Sequence, residues 1–434
     1  MFGAWQLEET TTTTEGEVDC DSEMDMNVGR LATGADSFAA AAGMEFGACR
    51  RWREYLQATS AIYSELERER AAGWQSEALD WWYQQRQEEG EAGKRQGDMT
   101  ASSSTSFCNS DIVKLCERYC EHAERVLMRA APSYFKAFSE ATHGPPAGRA
   151  TEKEEEEESS PPTFLDLGSA PGGVSKFLVT RLRWRGVGVS LPVSRGGIAS
   201  DLSWLQSSRT PAPYEFIEGS ITENDWHESI KGRKFYFVNG GAVQDHGQRK
   251  AEKLSHDTED GVGNHVEVVG DGNTQPILPW FHFLVPQLRL ALEHVEEGGV
   301  IMLVFGVPQC ASLSILLALM QPLVHGGIHI LETMHLTKSP VYILLTGVSV
   351  RCEEETRTEW DKLLAMMTQE SKDFWLGETE EGLRLAKSGF AQHRKDLEAV
   401  WEKMTSFLQR RRLQAERARA ASMNRKRVMK RQRE

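Results

Sequence analysis

Between positions 163 and 348 the chain carries seven short apolar runs, "FLDL", "GVGVSL", "YEFIEG", "KFYFVN", "VIMLVF", "HILETMHL" and "VYILLTGV", and their spacing limits the fold more than any other feature. Runs of this length, rich in β-branched and aromatic residues, predict strands. Helical patterns fill the first, fourth and fifth intervals most clearly. In the fourth, "FHFLVPQLRLALEHVEEGG", Leu284, Leu288, Ala291, Leu292 and Val295 form one apolar stripe, and the closing glycine pair suits a helix C-cap. Strands alternating with helices predict a mainly parallel sheet covered on both faces. The last two runs stand only a few residues apart, too few for a crossover, so they are expected to pair antiparallel at the sheet's end. The expected class is α/β: a Rossmann-like sheet of seven strands with helices flanking it on the N- and C-terminal sides.

The flanks read differently. Residues 1–40, including "EETTTTTEGEVDCDSEMDMN", are acidic and poor in large apolar groups, which predicts disorder. A helical region follows over 41–145. In "RRWREYLQATSAIYSELERERA" the residues Trp52, Tyr55, Leu56, Ile62, Tyr63 and Leu66 make a single stripe, and a second helix is expected around "SEALDWWYQQRQ". A long helix starts near Ser110 and ends at Pro132. An acidic linker spans 146–162, and the fourth and fifth strands are separated by a polar, glycine-rich insertion over 244–275. Packing helices are expected over 351–409, with Trp360, Leu363, Leu364 and Met367 on one and Leu397, Val400, Trp401, Met404 and Leu408 on the next. The end, 410–434, carries eleven Lys or Arg against two Glu, suited to nucleic acid or nuclear import.

Net charge is -14 over 434 residues, acidic in front and basic behind, so its distribution matters more than its sum. No apolar run approaches the roughly 20 residues of a membrane-crossing helix, so no membrane partner is expected. The opening "MFGAWQLEET" lacks the basic start and apolar core of a secretory leader, and seven scattered cysteines fit a reducing, intracellular setting, nucleus or cytoplasm. Cys116, Cys120 and His122 in "CERYCEH" lack the second cluster that a structural zinc site needs, so buried helix cysteines are expected and no metal.

The first strand runs into "LDLGSAPGGVSK". Gly168 turns the chain sharply off the strand, while Gly172 and Gly173 are expected to let a ligand approach the backbone, and the next helix presents free N–H groups. Asp166 lies near the strand's C-terminal end, where ligands sit in open α/β sheets. Ser169, Ala170 and Pro171 break the G-x-G-x-x-G spacing of a dinucleotide site.

That order of residues resembles motif I of S-adenosylmethionine-dependent methyltransferases, in particular the FtsJ-like RNA 2'-O-methyltransferases with their D-x-G-x-x-P-G-G loop. "GVGVSLP" with Gly196 and Gly197, "LVPQLRLALEHVEEGGVIMLVF" and "SPVYILLTGV" are similar to segments of fungal FtsJ-domain proteins, and the resemblance spans about 110–350. It implies a methyltransferase sheet, S-adenosylmethionine as cofactor and RNA as partner, the last agreeing with the basic tail. It implies cofactor contacts from Asp166, Gly168, Ser169, Ala170, Pro171, Gly172, Gly173 and Asn239. The family's adenine-reading carboxylate is replaced by Ser220, leaving Glu218, Glu223 or Asp225 to compensate.

The family is understood to use a Lys-Asp-Lys-Glu set to strip the 2'-OH of its proton. Lys136 in "SYFKAFSEA" matches the first lysine. Asn239 and Gly240 stand where the aspartate belongs, Leu303, Val304 and Phe305 where the second lysine belongs, and Pro340 where the glutamate belongs. Lys338, two residues earlier, is the remaining candidate base. Two functions follow: a methyltransferase with weakened or altered activity, or an inactive relative that binds RNA or protein.

Overall fold

The structure, a computed structural model, describes residues 49–96, 109–138, 160–207, 213–223, 226–243, 278–336, 340–350 and 354–432. The acidic segment over 1–40, the insertion over 244–275, most of the linker, Asp225 and Lys338 lie outside the described residues.

Seven strands form one sheet: β1 (Thr163–Leu167), β2 (Arg185–Ser190), β3 (Tyr214–Glu218), β4 (Phe235–Gly240), β5 (Val295–Phe305), β6 (Val324–Glu332) and β7 (Val341–Val348), in the order β3-β2-β1-β4-β5-β7-β6. β1 to β5 pair in parallel, and β7 runs antiparallel to both β5 and β6. The reversed strand is thus not the edge itself. β7 inserts second from the end and leaves β6 outermost, pointing the same way as β5. Parallel strands have both faces covered, and β1 illustrates the sequence consequence: Phe164, Leu165 and Leu167 are all fully buried, on alternating faces.

Among the described residues, the helices that build the core and the crevice are α1 (Arg50–Thr59), α2 (Ala61–Trp74), α3 (Glu77–Gln96), α4 (Asn109–Ala130), α5 (Gly173–Lys176, widening into a π-type turn over Phe177–Arg181), α6 (Phe281–His294), α7 (Ala311–Met320), α8 (Glu354–Gln369) and α9 (Glu380–Arg431). Phe164, Phe237, Val300, Met302 and Leu344 bury one sheet face against α4 and α5. Leu165, Val187, Val238, Ile301 and Leu345 bury the other against α6, α7 and α9, with Trp52 and Leu56 of α1 and Tyr63 and Leu66 of α2 in the same core. The N-terminal helices are therefore part of the main core rather than an appendage.

Four local expectations change. The stripe over residues 50–71 is two helices, because the Ser60 side chain accepts the Tyr63 N–H and caps a new start. The glycine pair after α6 is not a cap: α6 ends at His294, β5 begins at Val295, and Gly298, at φ 73°, bends the strand instead. β6 starts and ends earlier than its apolar run, since Gly327 at φ 115° hides its beginning from a pattern reading and a turn through Thr333 Oγ1 ends it. The basic end does not separate from the packing helix, as α9 is continuous for 52 residues.

β1 leads leftward to β2 and β3, while β4 starts the rightward half. The crevice at the C-terminal ends of β1 and β4 is therefore the point where strand order reverses, the usual ligand position in such sheets.

Candidate functional site

At that crevice the chain leaves β1 and turns at Gly168, φ 79°. The Gly168 and Ser169 N–H groups donate to the Val189 carbonyl at 2.8 and 3.0 Å, and the Gly241 N–H donates to Leu167 O at 2.9 Å. The bend is thus tied to the ends of β2 and β4. The glycines serve the protein's own packing. A Cβ on Gly168 would lie 2.5 Å from Ala242 Cα, one on Gly172 would lie 3.0 Å from Asp201 O, and one on Gly173 would lie 2.3 Å from Tyr119 Cβ and 2.6 Å from Cys116 O. This corrects the expectation that Gly172 and Gly173 are small to admit a ligand. Gly173 is small because α4 lies directly on the start of α5, and Gly172 because the chain after β2 folds back, with Asp201 N–H donating to Pro171 O at 2.9 Å. Ala170 and Pro171 complete the bend.

Beneath it, Asp166 and Asn239 are register partners on β1 and β4. Asp166 is fully buried; Oδ2 accepts the Ser175 hydroxyl at 2.6 Å and Oδ1 accepts the Asn239 amide at 2.7 Å. Burial pushes its carboxyl above the usual range, with the two hydrogen bonds opposing. Tyr214 of β3 crosses over Gly188, where a Cβ would lie 2.0 Å from its hydroxyl and 2.9 Å from Ser169 Oγ. Tyr214 OH lies among the hydroxyls of Ser169 and Ser175, and among the described residues Asn239 Oδ1 is buried without a hydrogen-bond partner. Buried polar atoms are seldom left so.

Of the other positions singled out, Glu218 is exposed at the end of β3, beside Ser190 in register. Ser220 Oγ sits 2.9 Å from Thr222 Oγ1, and Glu223 is ion-paired with Arg195. Lys176 is not a free surface lysine; it pairs with Glu117 of α4. Leu303 and Phe305 are buried, and the Pro340 carbonyl accepts from Thr333. Lys136 is exposed at the wrong edge. Its carbonyl accepts from Trp184 at 2.9 Å, Phe138 N–H donates to Leu182 O at 2.8 Å, and Trp184 immediately precedes β2, so this segment runs along the N-terminal edge, opposite the bend. The lysine motif fits locally, but the chain carries it away from the crevice.

Sequence reasoning missed two groups on the same rim. Tyr119 OH and His335 Nε2 are 2.7 Å apart, joining α4 to the turn after β6 across 216 positions. Further out, Glu332 of β6 takes hydrogen bonds from Arg125, Arg129 and Lys403 at 3.1, 2.7 and 2.7 Å. Burial alone would raise its carboxyl, yet these cations hold it down at about 2. His122 donates from Nε2 to Glu332 O at 3.1 Å and accepts Arg125 on Nδ1 at 2.8 Å, while burial and Arg125 lower it to about 4. Cys116 and Cys120 are buried free thiols, pushed up to about 12 and about 11 chiefly by burial. Neither the Tyr119–His335 pair nor the Glu332 cluster has a short sequence signature, because each joins distant elements.

Neither a protein-family model nor a curated protein matches this sequence. Solved structures do resemble it. A Plasmodium falciparum protein provisionally named a ribosomal RNA methyltransferase matches at 13% identity over 44% of this chain and 88% of its own, TM-score 0.28. CalS10, an amino pentose methyltransferase from Micromonospora echinaspora solved with S-adenosylmethionine bound, matches at 13% over 47% of this chain and 58% of its own, TM-score 0.21. TrmN from Thermus thermophilus matches at 16% over 43% and 44%, TM-score 0.25. The chain thus spans little more than half of CalS10 and less than half of TrmN.

Proposed function

We propose that the crevice between β1 and β4 holds S-adenosylmethionine and that the chain is an RNA-directed methyltransferase of the FtsJ-like 2'-O-ribose type whose transfer step is weakened. The observation that carries this is the bend between Asp166 and Ser175, set where strand order reverses and lined by the buried polar groups of Ser169, Tyr214 and Asn239, with Asn239 Oδ1 unpaired among the described residues. These residues fit the amino-acid end of the cofactor, with the backbone of Gly168, Ser169, Ala170 and Pro171 beside it. The fit is poorer at the nucleoside end, where Ser190 ends β2 and the exposed Glu218 is the nearby carboxylate of β3. The cofactor, when bound, supplies an electrophilic methyl group on a sulfonium.

What the chain must supply is a proton acceptor for the ribose hydroxyl. Asn239 has no basic atom and already gives its amide to Asp166, Leu303 and Phe305 offer only hydrocarbon, Pro340 has no side-chain acceptor, and Lys136 faces the other edge. Loss of a positioned general base ordinarily costs about 10²- to 10⁴-fold. The imidazole of His335, held by Tyr119, is the rim group on the described residues with proton-accepting chemistry, and it supports a slow transfer rather than a fast one. The lost bases equally favour the second reading, a module that keeps the fold and binds cofactor and RNA without transfer.

Calorimetric titration of the protein with S-adenosylmethionine and S-adenosylhomocysteine tests the common part of both readings. Heat of binding is expected with each, and its absence with both overturns the cofactor site. A transfer assay on ribose-unmodified RNA then separates the two: slow transfer lost in His335→Gln supports the enzyme, and background transfer by the unaltered chain supports the module.

A further inference from the structure

We infer that the outer end of α9, residues 423–431, is a rigid RNA-binding arm that grips the strand flanking the site while the crevice takes the ribose. The inference rests on the reading of this chain as RNA-directed. α9 is a single helix of 52 residues, and its last buried residue is Ala415. From Met423 to Gln432 every side chain is exposed, Met423, Val428 and Met429 included. No packing against the body explains a helix with no buried face.

The charges divide at the same point. Inner arginines are used to dock the helix: Arg411 stacks among Trp82, Tyr83 and Phe407, Arg412 pairs with Glu69 and Glu416, and Arg419 pairs with Glu77. Outer ones are not, since the side chains of Arg425, Lys426, Arg427 and Arg431 have no ion pair or hydrogen bond among the described residues. No Asp or Glu occurs between Arg417 and Arg433. Like charges around one helix repel each other, and a polyphosphate strand is the partner that relieves the repulsion and releases its own counterions.

The position of the arm links it to the site. α9 passes the edge strand at its rim end, where Lys403 meets Glu332, and Arg125 and Arg129 of α4 meet the same carboxylate. Three cations, each about half exposed, face one buried anion, so this corner keeps an excess of positive charge between the crevice and the arm. From Lys403 to Arg425 a helix rises about 33 Å at 1.5 Å per residue. At roughly 3.4 Å per phosphate that is about ten nucleotides, which sets the length an RNA needs to touch corner and arm together.

The test is anisotropy titration of the full chain with single-stranded RNAs of about 8 and about 30 nucleotides, over a salt series. The variant Arg425→Gln, Lys426→Gln, Arg427→Gln and Arg431→Gln keeps good helix formers in place, which circular dichroism verifies. On the long RNA we expect affinity to fall about tenfold or more and the log-log salt slope to become shallower by about 3, at about 0.7 per lost contact. The loss on the short RNA is expected to be smaller. Unchanged affinity and slope on a long RNA that the unaltered chain binds overturns the arm and leaves the RNA reading standing. An unaltered chain that binds S-adenosylhomocysteine but no RNA overturns both. Equal affinity for duplex DNA, lost equally in the variant, overturns RNA as the partner.

Discussion

Asp166 at the end of β1 and Glu332 at the end of β6 are both buried carboxylates on one rim of one sheet, yet their surroundings drive them apart. Asp166 receives only neutral donors, Ser175 and Asn239, and burial raises its pKa. Glu332 receives Arg125, Arg129 and Lys403, and these hold it at about 2 despite burial. The surroundings of Asp166 are polar, and its direct donors are neutral. The corner at β6 is a fixed ionic knot that binds α4, β6 and α9 together. The same side chain type is held by neutral donors in one place and by cations in the other, decided by which elements lie against it.

Replacing the two carboxylates is the sharpest way to break this contrast. Glu332→Gln strands three cations, and we expect a loss of about 2–3 kcal/mol in urea unfolding. That is less than the roughly 3–5 of a broken buried pair, because the cations reach water and are partly screened. Gly173→Ala is next, at about 2 kcal/mol, since its methyl would enter the backbone of α4 at Cys116 and Cys120. A loss much below 1 kcal/mol would show that α4 yields easily there.

Acidification should follow the charged corner. His122 is lowered from 6.5 to about 4, so the unfolded chain takes a proton that the folded chain refuses, and stability present above pH 6.5 is lost as pH falls toward 4. Glu332 is lowered from 4.5 to about 2, so its contribution, full above pH 4.5, is lost as pH falls toward 2. Asp166 has the opposite sign, because a raised carboxyl loses stability as pH climbs past 3.8. The urea midpoint should therefore drop from pH 7 to 4, and His122→Gln should flatten that drop; an unchanged slope would detach His122 from it. The smallest effect is expected from Asp166→Asn, within about 1 kcal/mol. The new amide can accept from Asn239 and donate to Ser175, keeping both bonds between neutral partners. A loss matching Glu332→Gln would erase the distinction between the two regions.

Much of the fold was legible. Apolar runs placed all seven strands, although β6 slid because Gly327 carries no strand signal, and the short gap before β7 predicted its reversal. The helix stripes with Trp360, Leu363 and Met367, and with Leu397, Val400, Trp401 and Met404, are the buried faces of α8 and α9. At the site, Asp166, the bend and Asn239 were legible as a local motif. The purpose of Gly173 was not, because the atom that forbids its Cβ belongs to Tyr119, on another element. Nor was the fate of Lys136, whose neighbours match a motif while the segment runs along the far edge.

The sequence by itself determined where strands and helices form and where the chain turns sharply after β1, since these depend on residues close together in the chain. Only the tertiary structure decided which carboxyl is pushed up by burial and which is held down by cations, which glycine admits a neighbouring helix, and that Tyr119 meets His335. The reason is physical: burial and Coulomb energies fall steeply over a few ångströms, and those ångströms are set by elements hundreds of residues apart.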